Sequence, residues 1–143
     1  MGYVIFVLET NFRVAKENTN AVLAAAKELC IHQPILPLSG GRRTATPVTR
    51  NFAFVRGDEV LRAWNIYEAL REWRWLPIID DNDSIEDLEF LGEKRGDDQT
   101  LFEAIAPFVE AGSYIVVAGE DGKVWRWRFD GEKCHYEIGK IVF

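Results

Sequence analysis

The chain has 143 residues, of which 48% are apolar and 13% aromatic, and carries a formal net charge of −6. That is the size of one domain, spanning residues 1–143, with a core large enough to fold without disulfide or metal staples. Two cysteines are too few for a secreted disulfide scaffold and no apolar run approaches the roughly 20 residues that span a bilayer, so the composition points to a reducing cytoplasm.

The charge is unevenly placed. Residues 1–75 hold 10 Lys and Arg against 7 Asp and Glu, whereas residues 76–143 hold 7 against 16. The acids are densest from Asp80 to Glu89. Such a split describes either two solvated faces or a dipolar surface that meets unlike partners.

Taken in chain order, Tyr3–Leu8 is a continuous apolar, β-prone run and predicts a buried central strand; at six residues with no preceding basic residue it does not read as a secretory leader. Asn18-Thr19-Asn20 caps an alanine-rich helix over 21–29, with Val22, Ala25, Ala26 and Leu29 on one face. Residues 33–49 read as a long loop containing three prolines and the basic stretch Ser39-Gly40-Gly41-Arg42-Arg43-Thr44. Residues 51–56 and 59–64 flank Gly57-Asp58 and predict a hairpin with Phe54 opposite Leu61 and Arg56 opposite Glu59; a helix starting at Asp58 is the competing reading. Asn65, with Glu68 three residues on, opens a helix to about Arg74.

Strands follow at 75–79 and 85–91, joined by the acidic turn Asp80–Ser84. Asp97 or Asp98 caps a helix whose apolar face is Leu101, Phe102, Ile105 and Ala106; Pro107 starts a further short turn and Gly112 ends it. Three strands close the chain at 113–119, 123–129 and 133–143, turned by Asp121-Gly122 and Asp130-Gly131. In the middle strand Trp125, Trp127 and Phe129 alternate with Arg126 and Arg128, so one face is core and the other wet. The expected fold class is α+β: a largely antiparallel sheet with helices on one face, a ferredoxin-like βαββαβ order at the start, then a helix and a three-stranded meander.

The string Phe90-Leu91-Gly92-Glu93-Lys94-Arg95-Gly96-Asp97-Asp98, the segment Leu101–Glu110, Gly112-Ser113-Tyr114-Ile115, Gly119-Glu120-Asp121-Gly122 and Trp125-Arg126-Trp127 resemble a group of small bacterial proteins with no assigned activity. The resemblance covers about half the chain, from about Leu70 onward. It implies a bacterial or mobile-element origin and carries over no functional residue.

The residues that could do chemistry are few. Cys30, His32, Cys134 and His135 would make a poor zinc site, because neighbours in a strand point to opposite faces and neither pair has CxxC spacing. Asp80–Glu86 has the composition of a calcium loop without its turn glycine or its distal bidentate glutamate. The binding candidates are Arg42 and Arg43 in the loop, Glu93, Lys94 and Arg95 before a helix N-terminus that could draw an anion, and Arg126 and Arg128 on the wet strand face. The expectation is a noncatalytic binding or regulatory protein, an inhibitor or accessory factor of a bacterial or mobile-element system, docking a protein partner through an acidic surface and needing no cofactor or metal. The alternatives are a nucleic-acid-binding module using Arg42, Arg43, Arg126 and Arg128, against which the net charge counts, and a small enzyme using carboxylates such as Glu93 with Asp97.

Overall fold

The computed structural model describes residues 2–32, 48–140 and 142. It is an α+β fold, and its principal sheet has four antiparallel strands. These are β1 (Ile5–Asn11), β6 (Tyr114–Gly119), β7 (Val124–Phe129) and β8 (Cys134–Gly139), in the order β1-β6-β7-β8. β4 (Trp75–Ile79) and β5 (Ile85–Phe90) form a separate antiparallel hairpin, and β2 (Ile31–His32) pairs with β3 (Val48–Thr49). Among the described residues four α-helices accompany them: α1 (Thr19–Leu29), α2 (Gly57–Leu61), α3 (Ile66–Glu72) and α4 (Asp98–Ile105).

The meander follows the alternation in its sequence. Trp125, Trp127 and Phe129 are buried on one face while Arg126 is exposed on the other. Gly122 and Gly131 sit at φ values of 85° and 98°, which the β-hairpin turns require and most side chains resist. The core is aromatic: Phe102 of α4 meets Trp75, Trp127, Phe12 and Phe129 at ring-centroid distances of 5.0–6.5 Å. Val22 and Ala26 of α1, Ala69 and Leu70 of α3, and Leu101 and Ile105 of α4 belong to that same buried cluster. The helices therefore serve one face of the sheet, and no described element covers the face that bears Arg126.

Two expectations are corrected. Residues 51–64 are not a hairpin. Phe52 and Val55 close a tight turn with Phe54 at φ 63°, and the helix α2 begins at Gly57, buries Val60, and is followed by buried Ala63. Gly57 is needed for closeness rather than for a turn, because a Cβ there would lie 2.0 Å from the carbonyl oxygen of Arg50. Its amide instead donates to Asn51 Oδ1 at 2.8 Å. The two strands before α2 and α3 are instead the short β2 and β3, so the βαββαβ order persists along the chain as β1-α1-β2-β3-α2-α3-β4, but its strands are divided among three sheets. The second correction is β1, which is an edge of the four-stranded sheet rather than its centre: Phe6 and Leu8 are 55% and 53% exposed.

Of the expected helix caps, the local signal at Asn65 holds, whereas Asn18 and Asp97 stand at the N-caps of α1 and α4 without a side-chain capping bond. Asn65 caps α3, its Oδ1 accepting from the Glu68 amide at 2.9 Å, while Glu68 Oε2 accepts from the Trp64 amide at 2.8 Å. Residues 33–47, including Arg42 and Arg43, lie outside the described residues.

Trp127 is fully buried at the centre of the sheet and packs on Phe102 at 5.0 Å. Trp127→Ala is therefore expected to cost about 3–5 kcal/mol in a urea titration. A loss below about 1 kcal/mol would show that its face is not core.

Candidate functional site

The segment that sequence marks for anion binding is built for a cation from within the protein. Arg74 follows α3 in the left-handed conformation, φ 73°, and turns its side chain into the loop formed by residues 92–98. Its Nη1 donates to the Lys94 carbonyl at 2.5 Å, and its Nη2 lies 3.1 and 3.3 Å from the two oxygens of Asp98. Phe54 and Phe90 lie against the guanidinium at 4.8 and 5.3 Å, adding cation–π contact. Gly92 and Gly96 leave room for it: a Cβ at Gly96 would lie 2.6 Å from Nη2, and one at Gly92 2.9 Å from Nη1.

Asp98 is fully buried and is the hub of this arrangement. Besides Arg74 it accepts from the indole Nε1 of Trp75 at 3.0 Å and from the Gly96 amide at 3.0 Å. The first turn of α4 thus holds a carboxylate belonging to the chain, where the sequence suggested an external anion. Asp97 is also engaged, its Oδ2 accepting from the Ala53 amide at 2.9 Å.

The candidates Glu93, Lys94 and Arg95 are equally tied to the fold through their backbones. The Glu93 carbonyl accepts from the Ile5 amide at 3.0 Å, Lys94 bridges Val4, and the Arg95 amide donates to the Tyr3 carbonyl at 2.7 Å. The Arg95 guanidinium lies over Trp125 at 4.8 Å and near Tyr136 at 5.6 Å, while Glu93 is exposed. Arg126 and Arg128 are both spent on Glu137, with Nε–Oε1 distances of 2.6 and 3.1 Å. Those bonds hold the Glu137 carboxyl below its ordinary pKa. The two arginines are therefore brought together, but around an internal carboxylate rather than toward a phosphate.

Among the described residues, Cys30, Cys134 and His135 do not come together as a metal-binding group. Burial raises Cys30 to about 11 and Cys134 to about 12, which suppresses the thiolate form. His135 Nε2 contacts Asp130 Oδ2 at 2.6 Å, on the face opposite Cys134. In the acidic turn, Asp80 Oδ1 accepts from the amides of Asn82 and Ser84 at 2.9 and 3.0 Å, so its carboxylate organises the turn.

What sequence reasoning missed is a cleft between β1 and β5. These strands are tied at both ends. Val14 and Ile85 exchange amide–carbonyl bonds of 3.0 and 2.9 Å, and Tyr3 and Ile5 bond to the backbone of Arg95 and Glu93. Between the ties no β1–β5 ladder forms among the described residues. A cleft of about 460 Å³ opens there, with Ile5, Val7, Leu88 and Phe90 as apolar lining and Glu9 and Glu89 among its polar residues. Leu8 also lines it, at a bulge where the β1–β6 register slips between Val7 and Glu9. The flanking hairpin, residues 75–90, contains six acids and no Lys or Arg. No motif marks this cleft; only its acidic hairpin was visible in the sequence.

No family model matches this chain, and no solved structure does. Over 67 residues, 46% of the chain, it is 40% identical to a glutamate 5-kinase from Maridesulfovibrio salexigens. The chain spans 16% of that enzyme's length, which is too little to carry the kinase activity across.

Replacing either partner strands a buried charge, so Arg74→Ala and Asp98→Ala should each cost about 3–5 kcal/mol. Because both remove one interaction, the double variant should lose much less than the two singles added together. Additive losses in chemical denaturation would show that the two residues act independently.

Proposed function

We propose that this protein is a noncatalytic binding or regulatory module of the cytoplasm that docks a protein partner, in the manner of an inhibitor or accessory factor. The observation that carries this reading is the β1–β5 cleft, lined by exposed Leu8 with Val7 and Phe90 and by Glu9 and Glu89, with the acidic hairpin around it. An extended segment alternating apolar and basic residues suits it: apolar side chains would fill the cleft while Lys or Arg meets the acids. The nucleic-acid reading is weaker, since Arg126 and Arg128 already bind Glu137 and Arg95 lies on Trp125. A carboxylate enzyme has least support, because Asp97 and Asp98 are occupied in holding the backbone and Arg74.

Selection of a random displayed peptide library on the intact protein tests this. Enriched peptides should alternate apolar with Lys or Arg residues. Glu89→Lys and Leu8→Asp, which leave the buried core untouched, should each weaken their binding about tenfold or more, equivalent to about 1.4 kcal/mol. No enrichment, or enriched peptides indifferent to both substitutions, would refute the cleft. Tight binding of generic oligonucleotides that falls steeply with salt would favour the nucleic-acid reading instead.

A further inference from the structure

The two edges of the main sheet are treated differently. β1 is tied near its two ends, at Tyr3 and Ile5 to residues 93–95 and, past the strand, at Val14 to Ile85, with the β5 hairpin alongside. No described strand pairs with the outer side of β8. β8 is six residues long, contains no proline, and pairs with β7 without a bulge, so two of the usual devices that blunt an edge are missing; its charges are Glu137 in the strand and Lys133 and Lys140 at its ends. Ile138 is 81% exposed and Tyr136 39% exposed.

The hydrogen-bond alternation fixes which groups β8 presents. The Asp130 amide donates to the Lys133 carbonyl at 3.1 Å, closing the hairpin, and the Phe129 amide donates away from β8 to Ser113. In an antiparallel ladder hydrogen-bonded and non-bonded pairs alternate from there. Lys133, His135, Glu137 and Gly139 therefore turn their backbone groups toward β7. Cys134, Tyr136 and Ile138 turn theirs outward.

We propose that this edge pairs with β8 of a second copy of the chain, antiparallel, about a two-fold axis at Tyr136. The register follows from the side chains. With Tyr136 opposite itself, Cys134 faces Ile138 of the second copy on the core side of the sheet. On the outer side His135 faces Glu137, and beyond the strand Glu132 faces Lys140. Each contact occurs twice, as an isologous interface demands. Sliding by one ladder step sets Glu137 against Glu137 in one direction, and His135 against His135 with Ile138 beside Glu132 in the other. The Tyr136-centred register sets apolar Cys134 against Ile138 and acidic Glu132 against Lys140, and avoids the Glu137–Glu137 and Glu132–Ile138 oppositions of the two neighbouring registers. The product is a continuous eight-stranded sheet that leaves the β1–β5 cleft of each copy at its two far ends. The inference is independent of what that cleft binds.

Sedimentation velocity of the whole protein from low micromolar to submillimolar concentration is the first test, with a concentration-dependent doubling of mass expected. Ile138→Pro removes an outward amide and leaves the β7 ladder its donors, so it should abolish the dimer while preserving the far-ultraviolet spectrum. If that variant fails to fold, Ile138→Lys serves in its place. The register is read by cysteine trapping. In a Cys134→Ser background, Tyr136→Cys lies on the axis with its Cα about 5.5 Å from its mate, within disulfide reach, and should oxidise to a covalent dimer. Ile138→Cys in the same background should not. A mass that stays monomeric at every concentration overturns the proposal. So does a dimer that survives both Ile138 substitutions, or trapping at position 138 rather than 136.

Discussion

The fold turns on one buried ion pair. Arg74 and Asp98 are distant in sequence and belong to different elements, yet every segment around them is shaped to bring them together. Arg74 accepts a left-handed backbone to reach inward, a conformation that costs roughly 1–2 kcal/mol for a residue with a Cβ. Gly92 and Gly96 give up their side chains to admit the guanidinium. Trp75 and the Gly96 amide complete the solvation of Asp98, which water no longer supplies. The pair joins the end of α3, the start of β4, the 92–96 loop and the first turn of α4. That loop in turn holds the beginning of β1, through Ile5 and Tyr3.

This arrangement explains why the 92–98 string looks functional when read as sequence. Glycines, basic residues and a helix N-terminus are what an anion site is made of. Here the glycines accommodate an internal cation, and an internal carboxylate occupies the helix start. The string contains Asp98 but not Arg74, and nothing in the local spacing identifies the missing partner. Long-range pairing of this kind is invisible to a reading that moves along the chain.

Elsewhere legibility followed the range of the forces involved. The meander was readable because each Asp-Gly turn fixes its own hairpin and the Trp–Arg alternation fixes the faces. The α3 cap was readable because Asn65 and Glu68 act within one turn. Residues 51–64 were not, because Gly57 there answers to a contact with Arg50, while a local reading takes glycine before aspartate for a turn. β1 was misplaced for a related reason: an unbroken apolar run signals burial on both faces, but Phe6 and Leu8 remain exposed at a sheet edge. The cleft beside it was illegible, since it arises from two strands that fail to pair.

The charge asymmetry also acquires a physical meaning once the partners are known. Three arginines of the basic half are compensated within the fold: Arg74 by Asp98, Arg56 by Glu72, and Arg62 by Asp58 and Glu59. In the acidic half, Arg126 and Arg128 share Glu137, and Lys123 lies near Asp121. Among the described residues, by contrast, no cation pairs with the carboxylates of Asp81, Asp83, Glu86 or Glu89. The β4–β5 hairpin thus sets six carboxylates close together beside the cleft. Repulsion within that hairpin opposes folding, and the Trp75–Phe90 and Trp75–Phe102 contacts, with ring centroids 4.6 and 5.2 Å apart, hold it against the core. The hairpin therefore keeps its mutual repulsion at the surface, next to a cleft whose lining mixes Glu9, Thr10 and Glu89 with Val7, Leu8 and Phe90.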